Sequence, residues 1–269
     1  MSCPNCQEGF ILPGEPTGSI ETELLGAYHA PSPSSEPKKY TVLLLTDAFG
    51  LPLKNNKLLA DKLAQRLECD VWVPDIFAGR PIMPLDTMRL PDRAGVKFPW
   101  WKWAQFFLSM LPNIGAVFNA TSGKVDKRVE DLISLIKEKK GYEKIGAVGY
   151  CFGGSVCTRF AARSDVISSV VIAHPGPFTV EDVKKFTVPA AWACAEDDHY
   201  VPVKLQNECE AELASRKGKE NYIDYEFKVY PGTAHGFACR PNFEYPDVKD
   251  AYEKAFEQTV TWFQKTLPA

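Results

Sequence analysis

The chain has 269 residues, of which 45% are hydrophobic and 24% charged, and its formal net charge is −3 at pH 7. This composition is typical of a globular protein, and the small net charge argues against a nucleic-acid partner or a polybasic membrane surface. No apolar run approaches the roughly 18 residues of a membrane-spanning helix. We therefore expect no membrane partner, and a monomer or a homodimer.

Eight cysteines bear on the compartment in which the chain works. The first eight residues lack the basic start and apolar centre of a signal peptide. Within predicted helices or strands, a free cysteine usually behaves as a small hydrophobic residue. Four cysteines have such positions: Cys69, Cys157, Cys194 and Cys209. We interpret them as reduced thiols of a cytoplasmic protein.

The spacing Cys3-x-x-Cys6 is compatible with a zinc site or a thiol redox site. A zinc site would need a second pair of ligands, and a redox site would need a thioredoxin-like βαβ context. The sequence shows neither of these, so we expect no metal and no cofactor.

Strand and helix patterns alternate from about Tyr40 to the end of the chain. The near-continuous apolar run 40–46 is typical of a central parallel strand, which is covered on both faces. Residues 124–140 carry apolar side chains at helical spacing and charge on the opposite face. The other predicted strands are 21–28, 70–74, 144–148, 166–173, 188–195 and 222–230, and the other helices are 54–67, 152–163 and 247–266. This alternation predicts an α/β fold, a doubly wound, mostly parallel sheet with helices on both faces, in a single domain over 1–269.

Residues 79–122 interrupt this alternation. The stretch is long for a connection, rich in Pro, Met and Trp, and concentrates aromatic residues between 98 and 107. One interpretation is a helical excursion that packs its aromatic side chains onto the core. The other is a cap over the site, because long insertions in α/β folds often form lids. Both can hold for different residues of the stretch.

Gly149-Tyr150-Cys151-Phe152-Gly153-Gly154 follows the apolar run 144–148 and has the form of a nucleophile elbow, G-x-nucleophile-x-G. A cysteine occupies the place where most such motifs carry serine. The glycines let the following helix pack closely against the strand, while the apex residue takes a strained conformation. The helix N-terminus then points at the thiol and favours the thiolate. The motif predicts an α/β-hydrolase fold with Cys151 as the nucleophile.

In this fold an acid follows a later strand and a histidine follows the last strand. Asp198 comes after the strand 188–195 and is the predicted acid, with Asp197 as the alternative or as a cap of the next helix. His235 has the required chain order and follows the last strand. The other histidines are His29, His174 and His199, of which His174 could also line the site.

These residues together predict acyl transfer. His235 would take the proton of Cys151, and Asp198 would orient the ring and offset its charge. The thiolate would attack a carbonyl and form an acyl-thioester, which water would cleave. The oxyanion would accept hydrogen bonds from the backbone N–H of Phe152 and from the loop after the strand 40–46, most simply from Ala48.

The motifs resemble the dienelactone hydrolase (carboxymethylenebutenolidase) family over most of the chain, from about Glu21 to the end. The cysteine elbow with paired glycines is the most specific part of the resemblance, and the N-terminal Cys-Pro-x-Cys is similar to fungal members. The resemblance implies a Cys-His-Asp triad of Cys151, His235 and Asp198. It is carried, besides the elbow, by Asp47-Ala48-Phe49-Gly50, Pro74-Asp75-Ile76-Phe77, Asp198-His199-Tyr200-Val201-Pro202 and His235-Gly236-Phe237.

Further roles are implied by the same resemblance. An acidic residue at position 47, typically glutamate in the family, contacts the resting thiol and takes part in forming the thiolate; this chain has the shorter Asp47. Arginines bind the substrate carboxylate, and Arg240 is the nearest match, one residue later than in the bacterial pattern, with Arg80 as a second. Phe49 and Trp103 complete the substrate-binding candidates.

The choice of cysteine restricts the substrate, because a thiolate is also a good leaving group. An ordinary alkyl ester would have to expel a poorer alkoxide, whereas enol lactones and aryl esters release stabilised anions. We therefore predict a small-molecule activated ester or lactone. The alternatives are a thioesterase or other small acyl hydrolase, a ligand-sensing α/β-hydrolase-fold module without turnover, and a thiol redox role for Cys151. The last lacks an obvious resolving partner, since Cys157 lies on the following helix.

Overall fold

The computed structural model describes residues 11–36, 38–85, 92–96, 99–101, 104, 108 and 111–268. The predictions made for Cys3, Cys6 and Trp103 lie outside these residues. Eight strands of the described part form one sheet: β1 (Ser19–Glu21), β2 (Ala27–Ala30), β3 (Tyr40–Leu45), β4 (Val71–Val73), β5 (Lys144–Tyr150), β6 (Ser169–Ala173), β7 (Ala190–Asp197) and β8 (Tyr225–Ala234). The main helices are α1 (Lys54–Leu67), α2 (Ile114–Asn119), α3 (Ser122–Lys140), α4 (Phe152–Phe160), α5 (Val180–Val183), α6 (Val203–Ala214) and α7 (Pro246–Thr266). Among the helices of the described residues, none combines the length and the apolar character needed to cross a membrane.

The strand order β1-β2-β4-β3-β5-β6-β7-β8 places β3 between β4 and β5. The pairs from β4 to β8 are parallel, and β1 and β2 join the edge antiparallel, which confirms the predicted doubly wound, mostly parallel sheet. The chain leaves β3 toward β4 on one side and returns to β5 on the other. The loops after β3 and β5 therefore diverge, and in open α/β sheets ligands bind in the crevice at such a switch point.

Side chains of the central strands are buried on both faces of the sheet. Val42 and Leu44 of β3 pack into the core that includes residues of α1 and α7, whereas Leu43 packs on the opposite face with residues of α3 and α4. This two-sided burial is the reason that the central strands show nearly continuous apolar runs rather than alternation.

The first predicted strand is the largest departure from the sequence-based expectation. Residues 21–28 do not form one strand, because the chain turns at Leu25 (φ 57°) and Gly26 (φ 71°) and folds back as the antiparallel pair β1 and β2. A leucine in the left-handed region gives no turn signal in the sequence. The last strand is longer than predicted and reaches Ala234, so that His235 follows it directly.

Described parts of the 79–122 insertion contact the carboxyl edge of the sheet. Met83 donates its backbone N–H to the carbonyl of Ala48 (3.0 Å). Ala94 donates to the carbonyl of Gly232 (3.1 Å), and the N–H of Gly95 donates to Oδ2 of Asp197 (3.0 Å). The insertion therefore lies beside the loops that carry the candidate acid and histidine, and its role as a cap stays a prediction.

Two glycines allow α4 to approach the sheet closely. A Cβ on Gly149 would lie 2.1 Å from the carbonyl oxygen of Gly153, and a Cβ on Gly153 would lie 2.1 Å from the carbonyl oxygen of Leu45. Both atoms belong to backbone held in β3 or at the start of α4, so neither can move aside locally. The elbow motif thus reflects a steric requirement of the strand–helix junction.

We expect Gly153→Ala to destabilise the protein by about 1–3 kcal/mol, because the added methyl group overlaps backbone in a packed region. Urea denaturation followed by circular dichroism measures the change. The matched control is Gly123→Ala in α3, where an added Cβ meets nothing within 4 Å and alanine favours the helix. Equal stability of the two variants would contradict this account of the elbow.

Candidate active site

The backbone of Cys151 adopts φ 52° and ψ −112°, a conformation that a non-glycine residue seldom takes and that costs about 1–3 kcal/mol. Hydrogen bonds from the end of β6 hold it there. The N–H of Cys151 donates to the carbonyl of Ala173 (3.1 Å), and the carbonyl of Cys151 accepts from Gly176 (2.9 Å). The side chain of Cys151, at the N-terminus of α4, is only partly buried.

His235 and Asp198 form a buried hydrogen-bonded pair. Nδ1 of His235 lies 2.8 Å from Oδ2 of Asp198, and the side chains are 9% and 0% exposed. Oδ1 of Asp198 accepts from the backbone N–H of Tyr200 (2.9 Å). Burial raises the pKa of Asp198, but the bond to His235 and its charge outweigh that effect, and the pKa is lowered. Asp198 therefore stays ionised and fixes the orientation of the imidazole ring.

The other ring nitrogen of His235, Nε2, is buried, and Cys151 is the second side chain, after Asp198, whose hydrogen bonding raises the pKa of the ring. Burial lowers the pKa of His235, but a negative charge on Cys151 and the bond to Asp198 raise it to about 10. Cys151 thus lies close enough to be a strong electrostatic partner of the ring. Hydrogen bonds between catalytic groups are often long without substrate. A proton on His235 is therefore stabilised from two sides, by Asp198 and by a charged Cys151.

Asp197, the alternative acid, lies elsewhere. Its side chain is exposed, and Oδ2 accepts the backbone N–H of Gly95 in the insertion (3.0 Å). The structure therefore brings Asp198, and not Asp197, to the histidine.

Asp47 contacts an arginine rather than the thiol. Its Oδ2 lies 3.0 Å from Nε of Arg240, and the two side chains are 1% and 4% exposed. Oδ1 accepts from the backbone N–H of Phe49 (3.2 Å), and the ring of Phe49 lies 5.1 Å from the guanidinium carbon of Arg240. In the described part of the chain, the carboxylate of Asp47 makes no hydrogen bond to Cys151. The short side chain of Asp47 is held on Arg240, and the role that the family resemblance implies for residue 47 in forming the thiolate stays a prediction.

Arg240 itself lies within electrostatic range of Cys151. Burial lowers the pKa of Arg240, while its interactions with Cys239, Asp47 and Cys151 raise it, and the net shift is upward. The guanidinium is therefore a permanent buried cation near the Cys151 sulfur. Burial also raises the pKa of the Cys239 thiol well above its ordinary value, so that this second sulfur stays neutral.

The candidate oxyanion donors lie at the switch point between β3 and β5. Gly153 donates its N–H to the carbonyl of Thr46 (2.9 Å), which fixes the start of α4 against the end of β3. Phe152 packs against the apolar cluster that contains Ala48. Neither the N–H of Ala48 nor that of Phe152 donates a hydrogen bond to another described residue. Both amides are therefore available to an oxygen atom in the crevice.

The remaining substrate-binding candidates differ in position. Phe49 is buried beneath Arg240, whereas Arg80 is exposed on the turn after Phe77. Sequence reasoning assigned no role to Cys239, nor to Tyr200, whose ring lies 5.2 Å from that of His235. The only signal for Tyr200 was its place two residues after the acid.

The sheet and the strained elbow at its centre define an α/β-hydrolase. The sequence profile of the dienelactone hydrolase family matches residues 25–267, so the chain belongs to that family. It is therefore a hydrolase of esters or lactones.

Individual relatives support the same assignment. "Hydrolase tropI" of Talaromyces stipitatus is 30% identical over 99% of this chain and 96% of its own length. The human "Carboxymethylenebutenolidase homolog" is 25% identical over 98% of this chain and 97% of its own length. A crystal structure of dienelactone hydrolase from Anabaena variabilis superposes with a TM-score of 0.56 at 13% identity, covering 95% of this chain and all of that one, and supports the fold.

We expect the pKa of His235 to fall from about 10 toward or below the ordinary 6.5 in Cys151→Ala, because burial is then opposed by Asp198 without a neighbouring thiolate. The chain has four histidines, so ring-labelled NMR titration can follow each of them. Cys157→Ala, which removes a fully buried thiol of α4, is the control and should leave His235 unchanged. A value that stays near 10 in Cys151→Ala would mean that Cys151 carries no charge beside the ring.

Proposed function

We propose that this protein hydrolyses an activated ester or lactone of a small molecule through an acyl-enzyme on Cys151, with His235 and Asp198 completing a triad. The observation that carries the proposal is the buried His235–Asp198 pair at 2.8 Å, beside a cysteine at the apex of a strained elbow. The elevated pKa of His235 supports an ion pair of imidazolium and thiolate in the resting protein.

Acylation follows from this ion pair. The thiolate of Cys151 attacks the carbonyl carbon and forms the C–S bond, and the carbonyl electrons move onto oxygen. The N–H groups of Ala48 and Phe152 donate to this oxyanion, and each such donor is worth about 2.7–4 kcal/mol in the barrier. The imidazolium of His235 gives its proton to the leaving oxygen as the C–O bond breaks, which leaves a neutral thioester.

Deacylation needs a neutral His235 that can act as a base. The ring becomes neutral because the sulfur of Cys151 loses its charge in the thioester. In the thioester, Cys151 no longer carries the negative charge that raises the pKa of His235, while burial still lowers it. The now neutral ring takes a proton from water as the water oxygen attacks the thioester carbonyl. The C–S bond then breaks, and the thiolate of Cys151 faces the imidazolium again.

A carboxylate on the substrate fits the buried cation of Arg240. Such a carboxylate would compete with Asp47 for the guanidinium of Arg240. Asp47 would then affect the thiol of Cys151 indirectly, because its ion pair with Arg240 would either break or persist when the substrate binds. This agrees in outcome with the role that the family resemblance implies for residue 47. We assign Arg80, Phe49 and Trp103 to secondary contacts with the substrate.

We infer that the chain acts as one domain over residues 1–269, with a cap or helical excursion at about 79–122. We also infer a cytoplasmic monomer or homodimer that needs no metal or cofactor. A small-molecule substrate is consistent with the family and with the relatives named hydrolases or carboxymethylenebutenolidase homologs.

Turnover should follow the stability of the leaving group. We expect kcat/KM to be at least tenfold higher for an enol lactone or p-nitrophenyl acetate than for an ethyl ester, because the tetrahedral intermediate otherwise expels the thiolate of Cys151. Steady-state assays measure the ratio, and mass spectrometry of the quenched reaction should show an acyl adduct on Cys151 that Cys151→Ala lacks. A preference for the ethyl ester would refute the proposed substrate class. A preference for thioester substrates would instead favour a thioesterase.

The two neighbouring acids should differ sharply. We expect Asp198→Asn to lower kcat by up to about 10⁴-fold, because the amide cannot stabilise the imidazolium and favours the wrong tautomer. Asp197→Asn is the matched control, since its carboxylate binds Gly95, and should stay within about twofold of the unsubstituted protein. A larger loss in Asp197→Asn than in Asp198→Asn would reverse the assignment of the acid.

A further inference from the structure

His174 is a buried histidine that the triad does not use. It follows β6 directly, is 0% exposed and has φ 32°, a strained value for a residue with a side chain. Its neighbours in sequence hold the nucleophile, because Ala173 and Gly176 make two of the backbone hydrogen bonds to Cys151. The position of the His174 ring is therefore fixed relative to the reacting sulfur.

Neither ring nitrogen of His174 has a hydrogen-bond partner among the described residues. Leaving a buried polar atom unsatisfied costs about 1–3 kcal/mol, and such an atom in a native protein calls for an explanation. A phenylalanine would pack against the surrounding rings without that cost. What calls for an explanation is therefore the presence of the two ring nitrogens of His174 in this buried position.

The ring of His174 lies beside the catalytic base. Its centroid is 5.2 Å from that of His235, with the planes at 70°, and the Nε2 atom of His235 is likewise buried. The other rings against His174 are those of Phe237 (5.7 Å) and Tyr150 (5.9 Å). A water molecule in contact with a nitrogen of each ring would satisfy both, and buried waters occupy sites with two or more polar partners.

Burial and the charges around His174 keep it neutral. Burial lowers its pKa well below the ordinary value, and the charges of His235 and Arg240 lower it further, against the opposing effects of Asp198 and of a backbone hydrogen bond. A neutral imidazole has one N–H and one nitrogen lone pair. The lone pair can accept a hydrogen bond from water, which an imidazolium could not do.

We propose that His174 positions the water that hydrolyses the acyl-enzyme, by accepting a hydrogen bond from one of its protons while His235 removes the other. This inference rests on the proposed acyl-enzyme on Cys151. The bonds balance as in simple thioester hydrolysis. One O–H bond of water breaks toward Nε2 of His235, the C–O bond forms, the C–S bond breaks, and the second proton leaves with the carboxylic acid product. His174 gains and loses no proton.

Burst kinetics with p-nitrophenyl acetate separate this role from general support of the triad. The burst rate reports acylation, and the steady-state rate reports deacylation where that step is slower. We expect His174→Phe, which keeps a ring against His235 but has no nitrogen, to retain the burst rate within about threefold and to lose at least tenfold in the deacylation rate. His174→Asn, which tolerates a positive φ and keeps an acceptor, should recover part of that loss.

A matched histidine lies far from the site. His29 stacks on Trp72 at the opposite end of the sheet, so His29→Phe should change neither rate, and thermal denaturation checks that each variant is folded. An unchanged deacylation rate in His174→Phe would overturn the proposal. An equal loss in the burst and steady-state rates would also overturn it, because His174 would then act only by holding the ring of His235 in place. If His174→Phe fails to fold, unchanged deacylation in His174→Ala would overturn it equally. A missing burst with no acyl adduct in the unsubstituted protein would instead refute the acyl-enzyme itself.

Discussion

The strained backbone of Cys151 is the constraint on which the site depends. A side chain can stand at the apex of a strand–helix turn only if the chain around it is held from several sides. Here the end of β6 supplies two hydrogen bonds, and Gly149 and Gly153 leave room for α4 to lie against β5 and β3. The strain of about 1–3 kcal/mol is offset by the contacts of the packed core. The same contacts leave Cys151 partly exposed at the N-terminus of α4.

Charge pairing around the sulfur follows from burial. Two cations, His235 and Arg240, lie within electrostatic range of Cys151, and each is bonded to its own buried carboxylate, Asp198 or Asp47. An unpaired buried charge would be strongly unfavourable, so each carboxylate is needed for its cation to remain charged. The pairs differ in what they can do. His235 can release a proton, whereas the guanidinium of Arg240 stays charged and can only exchange one anion for another.

The sequence was sufficient for those features that depend on local pattern or on chain order. Buried parallel strands give continuous apolar runs, and the elbow, Asp198 and His235 occur in the order that the fold requires. It was insufficient where a contact joins distant residues. Asp47 and Arg240 are 193 residues apart, and no spacing rule connects them. The turn at Leu25 has no glycine or proline at its first left-handed residue. That the ring nitrogens of His174 lack partners can be recognised only from the three-dimensional positions of its neighbours.

The 79–122 insertion is joined to the loops that carry Asp198 and His235 by hydrogen bonds. On the insertion's side these bonds use only backbone N–H groups, so they tolerate a change of sequence there. Ala94 and Gly95 both bind through backbone N–H groups, so their side chains can vary while the anchor stays. On the other side, the contact to Gly95 requires the carboxylate of Asp197, next to Asp198. An insertion attached in this way can diverge in length and in aromatic content without displacing Asp198 or His235. The sheet therefore holds the elbow, Asp198 and His235 in place, and the insertion adds backbone anchors beside them.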